Sequence, residues 1–253
     1  MVDSVVESVR DLLRTDLPDD EIQDEEMTIL EHLEELRSRL IKMAAAVAVA
    51  TVIALIFTPR VLLILKAAGP ADMRLTFIDV TEMFVTYFKV ALFLGIGLGM
   101  PVIVYQVIRF VAPALTRREK RLLLSILPFV TLFFFVGALF GYFVTLPFAL
   151  RYLLGLFPDV AEADIRISNY VGFVTTILFW MGISFELPVV VYALAKVRVV
   201  TPQRLVSFRK YAILLFFVIA AIITPTPDPL NQTLVAVPLI VLYEVGIIMA
   251  RIA

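Results

Sequence analysis

Six apolar runs, each bounded by charge or by a helix-breaking turn, set the pattern of this chain. A bilayer core of about 30 Å takes about 20 helical residues at about 1.5 Å each, so long charge-free runs read as membrane spans. Lys42 and Arg60 bracket the first run, 43–59, and Lys89 and Arg109 bracket the second, 90–108. Arg121 and Arg151 enclose a third, 122–150, which exceeds what an upright helix requires and is expected to tilt or project beyond the lipid. Tyr170 to Ala195 is the fourth, interrupted only by Glu186. A fifth run, 211–223, reaches only about 20 Å, so its helix is expected to stop short of the far surface, with thinned bilayer or water around it. Thr224-Pro225-Thr226-Pro227-Asp228-Pro229 breaks it, and 230–250 follows with Glu244 inside. The pattern predicts an all-α integral membrane protein of six transmembrane helices, the fifth and sixth short.

Lysine and arginine then orient the spans. Five (Arg10, Arg14, Arg37, Arg39, Lys42) precede span one, five (Arg109, Arg117, Arg118, Lys120, Arg121) follow span two, and five (Lys196, Arg198, Arg204, Arg209, Lys210) follow span four. The opposite side has Arg60, Lys66, Arg74, Lys89, Arg151 and Arg166, with none between spans five and six. By the positive-inside rule both termini are expected in the cytoplasm. Composition agrees with a membrane protein: 61% of the 253 residues are hydrophobic and 18% charged, against roughly a quarter charged in soluble domains. The net charge of −1 hides an uneven distribution. Residues 1–27 hold ten acids against Arg10 and Arg14, a local −8, leaving +7 on the remainder. Residues 1–27 are therefore expected to be a disordered, solvated acidic extension, and 28–253 a single six-helix transmembrane domain. No basic n-region precedes the apolar run that starts near Ile41, so that run is expected to remain as an anchor and not to be cleaved. Without cysteine, and with His32 as the only histidine, thiolate and multi-histidine metal centres are poor readings, and no cofactor is expected.

A few polar residues are candidates for function, each with a plainer alternative. Thr28 and Glu31 stand in capping-box register and predict a short amphipathic helix along the interface ahead of span one. Glu35 fits an i,i+4 pair with Arg39, worth about 0.3–0.5 kcal/mol. It also fits, with Glu119, a pair of interfacial carboxylates that could receive two guanidinium groups, because arginine grips carboxylate in a fork that lysine cannot reproduce. Thr116 and Glu119 in turn repeat the capping box at the start of span three. A carboxyl at membrane depth is costly unless neutral, paired or facing a cavity, which makes Glu186 a functional candidate; the alternative is a neutral acid bonded to a neighbouring helix. Asp228 and Gln232 either cap helix six or offer polar groups, recessed in thinned bilayer, to a partner helix or a translocating chain. Gly95, Gly97 and Gly99 point to close helix packing. A proton-coupled small-molecule transporter using Glu186 is the rival reading. An intramembrane enzyme is not expected, for want of a Ser-His, paired-Asp or His-metal arrangement.

The ordered set Glu31-His32-Leu33-Glu34-Glu35-Leu36-Arg37-Ser38-Arg39-Leu40, Pro101-Val102-Ile103-Val104-Tyr105-Gln106, Phe110-Val111-Ala112-Pro113-Ala114-Leu115 with Glu119, Ser184-Phe185-Glu186-Leu187-Pro188 and Thr224-Pro225-Thr226-Pro227-Asp228 with Asn231-Gln232-Thr233 resembles the TatC family, the signal-recognition core of the twin-arginine protein translocase. The resemblance covers about residues 28–253 and omits the acidic head. It implies that Glu35 and Glu119 receive the paired arginines of a twin-arginine signal peptide, with Arg37 and Phe110 lining that site. It further implies that Glu186, Asp228 and Gln232 lie where single-span TatA and TatB partners pack, that the chain self-associates in a larger complex, and that it is a multi-pass protein of the cytoplasmic (inner) membrane. On this reading it exports folded cargo on the proton-motive force, and neither covalent catalysis nor nucleic-acid binding is expected.

Overall fold

In the computed structural model the described residues are 29–70, 73–111, 116–155, 164–224 and 228–253, without the side chains of Ile29, Arg117 and Arg118. Residues 1–27, Thr28 with its expected capping role, residues 112–115 and Pro225-Thr226-Pro227 lie outside them. Six helical spans are present, as the apolar runs predict, and the helices of the first three spans continue past the charges that bracket their runs.

Helix α1 (Ile29–Ala67) is 39 residues long, about 58 Å. The expected interfacial helix is not separate: it forms the first turns of α1. No glycine or proline stands between Ile29 and Thr58 to end the helix, and the chain runs straight on into span one. Pro59 lies inside α1 and has no N–H for the Leu55 carbonyl four residues back; the Tyr87 hydroxyl of the next helix donates to that carbonyl instead, at 2.5 Å.

Helix α2 (Glu82–Val111) packs along α1 more extensively than any other pair of helices. The third span combines α3 (Arg117–Phe140), a π-helical turn (Gly141–Thr145) and α4 (Leu146–Leu154), a length that matches its long apolar run. Helix α5 (Ile167–Lys196) is central: it contacts every other span and carries twelve buried residues. Helix α6 (Pro202–Ile223) begins nine residues before its apolar run because Thr201 caps it, accepting from Arg204 N–H at 3.4 Å, and Pro202 occupies the first turn. At 22 residues it is longer than the run suggested, yet α6 and α7 (Pro229–Ile252, 24 residues) remain the shortest of the six spans.

The core runs through α5, α6 and α7, where Met181, Phe216, Leu239 and Ile247 are buried. Large apolar side chains such as Ile56, Leu63 and Ile222 point outward, as lipid-facing surfaces require. One end of the bundle carries the start of α1, the α2–α3 connection, the α5–α6 turn and the C-terminus, and is called the basic end below. At the opposite end, β1 (Leu75–Thr76) pairs in parallel with β2 (Ile165–Arg166), joining the two long connections. Glu82 reinforces this clasp: its carboxylate accepts from Ile78 N–H at 3.0 Å, Ser168 Oγ at 2.6 Å and Arg166 Nη2 at 3.4 Å.

Candidate functional site

Three groups of polar residues carry the chemistry of the bundle. The first is at the basic end, between α1 and α2. Arg39 donates to Glu35 Oε1 through Nη2 at 2.8 Å and Nε at 3.2 Å, so the i,i+4 pair expected from spacing is formed. Its third donor, Nη1, crosses to Gln106 Oε1 on α2 at 3.0 Å. Both members of the pair are sheltered, at 17% and 16% side-chain exposure, and Gln106 is 9% exposed. The other carboxylate oxygen, Glu35 Oε2, is buried without a hydrogen bond. A desolvated anionic oxygen with no donor is costly and favours an incoming N–H group. One turn before Glu35, His32 stacks on Phe110 with centroids 4.4 Å apart, which brings Phe110 beside the same stretch of α1. Arg37 is on the exposed face of that stretch. Gln106 and the His32–Phe110 stack were not read from the sequence as parts of a site: each depends on which face of α2 meets α1.

Glu119 is turned into its own helix. Its Oε2 accepts from Thr116 N–H at 2.9 Å while Glu119 N–H donates to Thr116 Oγ1 at 3.4 Å, completing the predicted capping box. Among the described residues no hydrogen bond or ion pair joins it to Glu35 or Arg39. The two carboxylates thus share the basic end without touching.

The second group is Glu186, on α5 at membrane depth, 8% exposed with Oε1 unbonded. It is buried within the bundle, and the plainer alternative, a hydrogen bond to a neighbouring helix, is not formed at that oxygen. The third group is the α6–α7 hairpin. Asp228 caps α7 by accepting from Leu230 and Asn231 N–H at 3.2 and 3.1 Å, and Tyr152 of α4 donates to it at 3.2 Å. Gln232 follows it in the first turn, half-buried. The cap alternative for Asp228 is therefore realised, with a tether to span three that sequence could not give. At the basic end Glu244, the charge inside span six, meets Arg209 of α6: Nη2 donates to Oε2 at 2.8 Å, with Nε at 2.6 Å from Oε1 but poorly aligned to donate.

Between α1, α2, α3 and α5 lies a cavity of about 360 Å³ with almost wholly apolar walls, among them Phe57, Phe93, Phe134 and Phe179. The described residues contain no group of three or more His, Cys, Asp or Glu able to hold a metal ion. Glu35 and Glu186 are sheltered carboxylates, and the apolar cavity begins at Ala54, about 28 Å along α1 from Glu35.

Six apolar helical spans, with an acid buried in the fourth, define a multi-pass membrane protein. A family model described as Sec-independent protein translocase protein (TatC) matches residues 31–238. The TatC protein of Carboxydothermus hydrogenoformans is 40% identical over 231 residues, covering 91% of this chain and 95% of its own. That of Aquifex aeolicus is 41% identical over 232 residues (90% and 96%), and the chloroplastic TATC of Arabidopsis thaliana 37% over 240 residues (94% and 69%). A solved structure described as the twin arginine translocase receptor TatC superposes with a TM-score of 0.78 at 40% identity, covering 88% of this chain and 99% of that one. The chain belongs to the TatC family. It is a transport component of the twin-arginine system, acting with other components of that system, and a multi-pass protein of the bacterial inner membrane. The comparisons give no support to a proton-coupled small-molecule transporter.

Proposed function

We propose that this chain binds the twin-arginine signal peptide of folded cargo and nucleates the translocation complex, with its basic end and both termini in the cytoplasm. One observation carries the reading: Glu35 already holds a guanidinium, that of Arg39, on one oxygen and keeps the other buried and unbonded. The groove is thus a guanidinium receptor in its resting state. A signal arginine takes Oε2, or displaces Arg39, whose Nη1 stays on Gln106. Glu119 receives the second arginine, giving up part of its cap, while Phe110 and Arg37 line the approach. The apolar part of the signal then enters the cavity between α1, α2, α3 and α5, gaining about 25 cal/mol per Å² buried relative to water.

The same reading gives Glu186, Asp228 and Gln232 to contacts with TatA- and TatB-type single-span partners. A buried acid with an unbonded oxygen favours a polar group from another helix, and the shortest spans favour a partner where the bilayer thins. It also has the chain self-associate within the complex, draws energy from the proton-motive force, and leaves residues 1–27 as a solvated acidic extension to the 28–253 domain.

The test is photo-crosslinking from Leu33 and Val111, exposed residues next in sequence to His32 and Phe110, to a labelled twin-arginine peptide with its Lys-Lys counterpart as control. Capture of the Arg-Arg peptide, reduced about tenfold or more in the Lys-Lys peptide and in Glu35→Gln, is expected. Equal capture of both peptides removes the recognition reading.

A further inference from the structure

Arg39 holds Glu35 by one oxygen only. In the parallel fork of a guanidinium on a carboxylate, each oxygen accepts one N–H. Here Nη2 at 2.8 Å and Nε at 3.2 Å both donate to Oε1, and Oε2 is buried without a donor. Two anchors set this geometry. Arg39 stands one turn along the same helix from Glu35, and its Nη1 is committed to Gln106 Oε1 on α2 at 3.0 Å. Gln106 is itself fixed by the seam between the two helices. Further along that seam a Cβ on Gly95 would come within 2.7 Å of the Thr51 backbone, and one on Gly99 within 3.5 Å of Val47. Arg39 and Gln106 lie about two turns on from Val47 and Gly99 in the same register, so α2 presents the amide directly opposite the guanidinium.

The pair is therefore formed but incomplete. A desolvated carboxylate oxygen without a donor is costly, and Arg39 cannot supply one to Oε2 while both anchors hold it. An arginine that does not belong to α1 is free of both anchors and can lay its fork across Oε1 and Oε2 together. Exchanging Arg39 for such a group keeps a guanidinium on the carboxylate at the start and at the end, and adds the missing bond at Oε2. A lysine makes a point contact and gains less from the same exchange.

We propose, resting on the recognition reading above, that Arg39 is an internal competitor for the signal peptide: it masks Glu35 at rest and is exchanged for a signal arginine. Binding then has to overcome the Arg39–Glu35 contact, which holds the affinity of the resting chain down and lets the groove release its peptide by closing on Arg39 again.

The test is the affinity of a labelled Arg-Arg signal peptide for the full chain in lipid nanodiscs. Arg39→Met, which keeps much of the stem and removes the fork, is expected to tighten binding about five- to tenfold. Arg39→Lys, which keeps the charge and weakens the mask, is expected to tighten it about two- to threefold. Lys42→Met removes a cation from an exposed position of the same helix outside the groove and leaves the affinity unchanged. In a Glu35→Gln background, with no carboxylate to compete for, Arg39→Met brings no gain. Thermal unfolding shows that each variant is folded, and Arg39→Lys decides if Arg39→Met does not fold. Unchanged or weaker binding in a folded Arg39 variant, a gain that persists with Glu35→Gln, or an equal gain in Lys42→Met overturns the competitor role while leaving Glu35 as receptor. Wild-type affinity in Glu35→Gln alone overturns the recognition reading itself, and the competitor role with it.

Discussion

Replacing single glycines on α2 and α3 by alanine adds one methyl group to a helix seam, and the structure predicts effects of opposite sign. In a helix interior alanine is favoured over glycine by about 1 kcal/mol, so the substitution stabilises wherever the methyl fits. At Gly99 it fits: the nearest atoms, on Val47, are 3.5 Å or more from the new carbon. At Gly95 the new carbon is 2.7 Å from Thr51 N and Cα, about 0.7 Å inside ordinary contact at 3.4 Å, and the obstacle is backbone. Gly137 is as tight, with Phe185 Cβ at 2.8 Å and Gly182 Cα at 2.9 Å, and Met181 O is nearer still. Gly97 meets only the edge of the Phe134 ring, at 2.9 Å, which can tilt. Overpacking costs about 1–3 kcal/mol, which outweighs the helix gain where backbone must move. Gly99→Ala should therefore stabilise by about 0.5–1 kcal/mol, Gly97→Ala should be near neutral, and Gly95→Ala and Gly137→Ala should destabilise by about 1–2 kcal/mol. Thermal unfolding in a single detergent ranks the four. If Gly95→Ala or Gly137→Ala melts as high as Gly99→Ala, the helices are not held at backbone contact and the reasoning fails.

Other expectations are quicker to check. Thr116→Ala removes the cap of α3 and should cost about 1 kcal/mol in unfolding free energy, with Thr116→Ser restoring most of it. The exposed Arg209–Glu244 pair should show a coupling of only about 0.5–1 kcal/mol in a double-mutant cycle at low salt, shrinking toward zero at high salt. Glu82→Gln should speed amide hydrogen exchange at Leu75–Thr76 and Ile165–Arg166 while leaving the α3–α5 seam protected; unchanged exchange would mean that the strands hold without it. For Glu186, Gln keeps a hydrogen-bonding group and Ala does not: partner assembly lost in Ala and kept in Gln marks a polar contact, whereas assembly unchanged in both leaves only packing.

The spans and the Glu119 cap were legible because both are written in short-range sequence. A charge-free run of about 20 residues has few alternatives to a transmembrane helix, and a capping box needs only four residues. Helix ends were less legible. Charges at 42, 60 and 210 mark where hydrocarbon stops, and a helix continues through them until a cap or breaker ends it, as Thr201 and Pro202 do for α6. What escaped reading were contacts between helices. Gln106 reaches Arg39 across 67 positions, Glu82 reaches Ser168 across 86, and Tyr87 serves the carbonyl orphaned by Pro59 from 32 positions away. No spacing rule covers such separations, because they depend on which faces pack.

The clasp of β1, β2 and Glu82 has a mechanical meaning. It ties the start of α2 to the start of α5 at one end, while at the other end side-chain hydrogen bonds such as those of Arg39 and Arg209 join neighbouring helices. Anything that wedges between α1–α2 and α3–α5 must therefore rotate the helices about the clasp as levers about a hinge. Along the 30 residues of α2, about 45 Å, a rotation of about 5° at Glu82 displaces Val111 by about 4 Å. If a signal enters at the basic end as proposed, the clasp keeps the starts of α2 and α5 together at the opposite end.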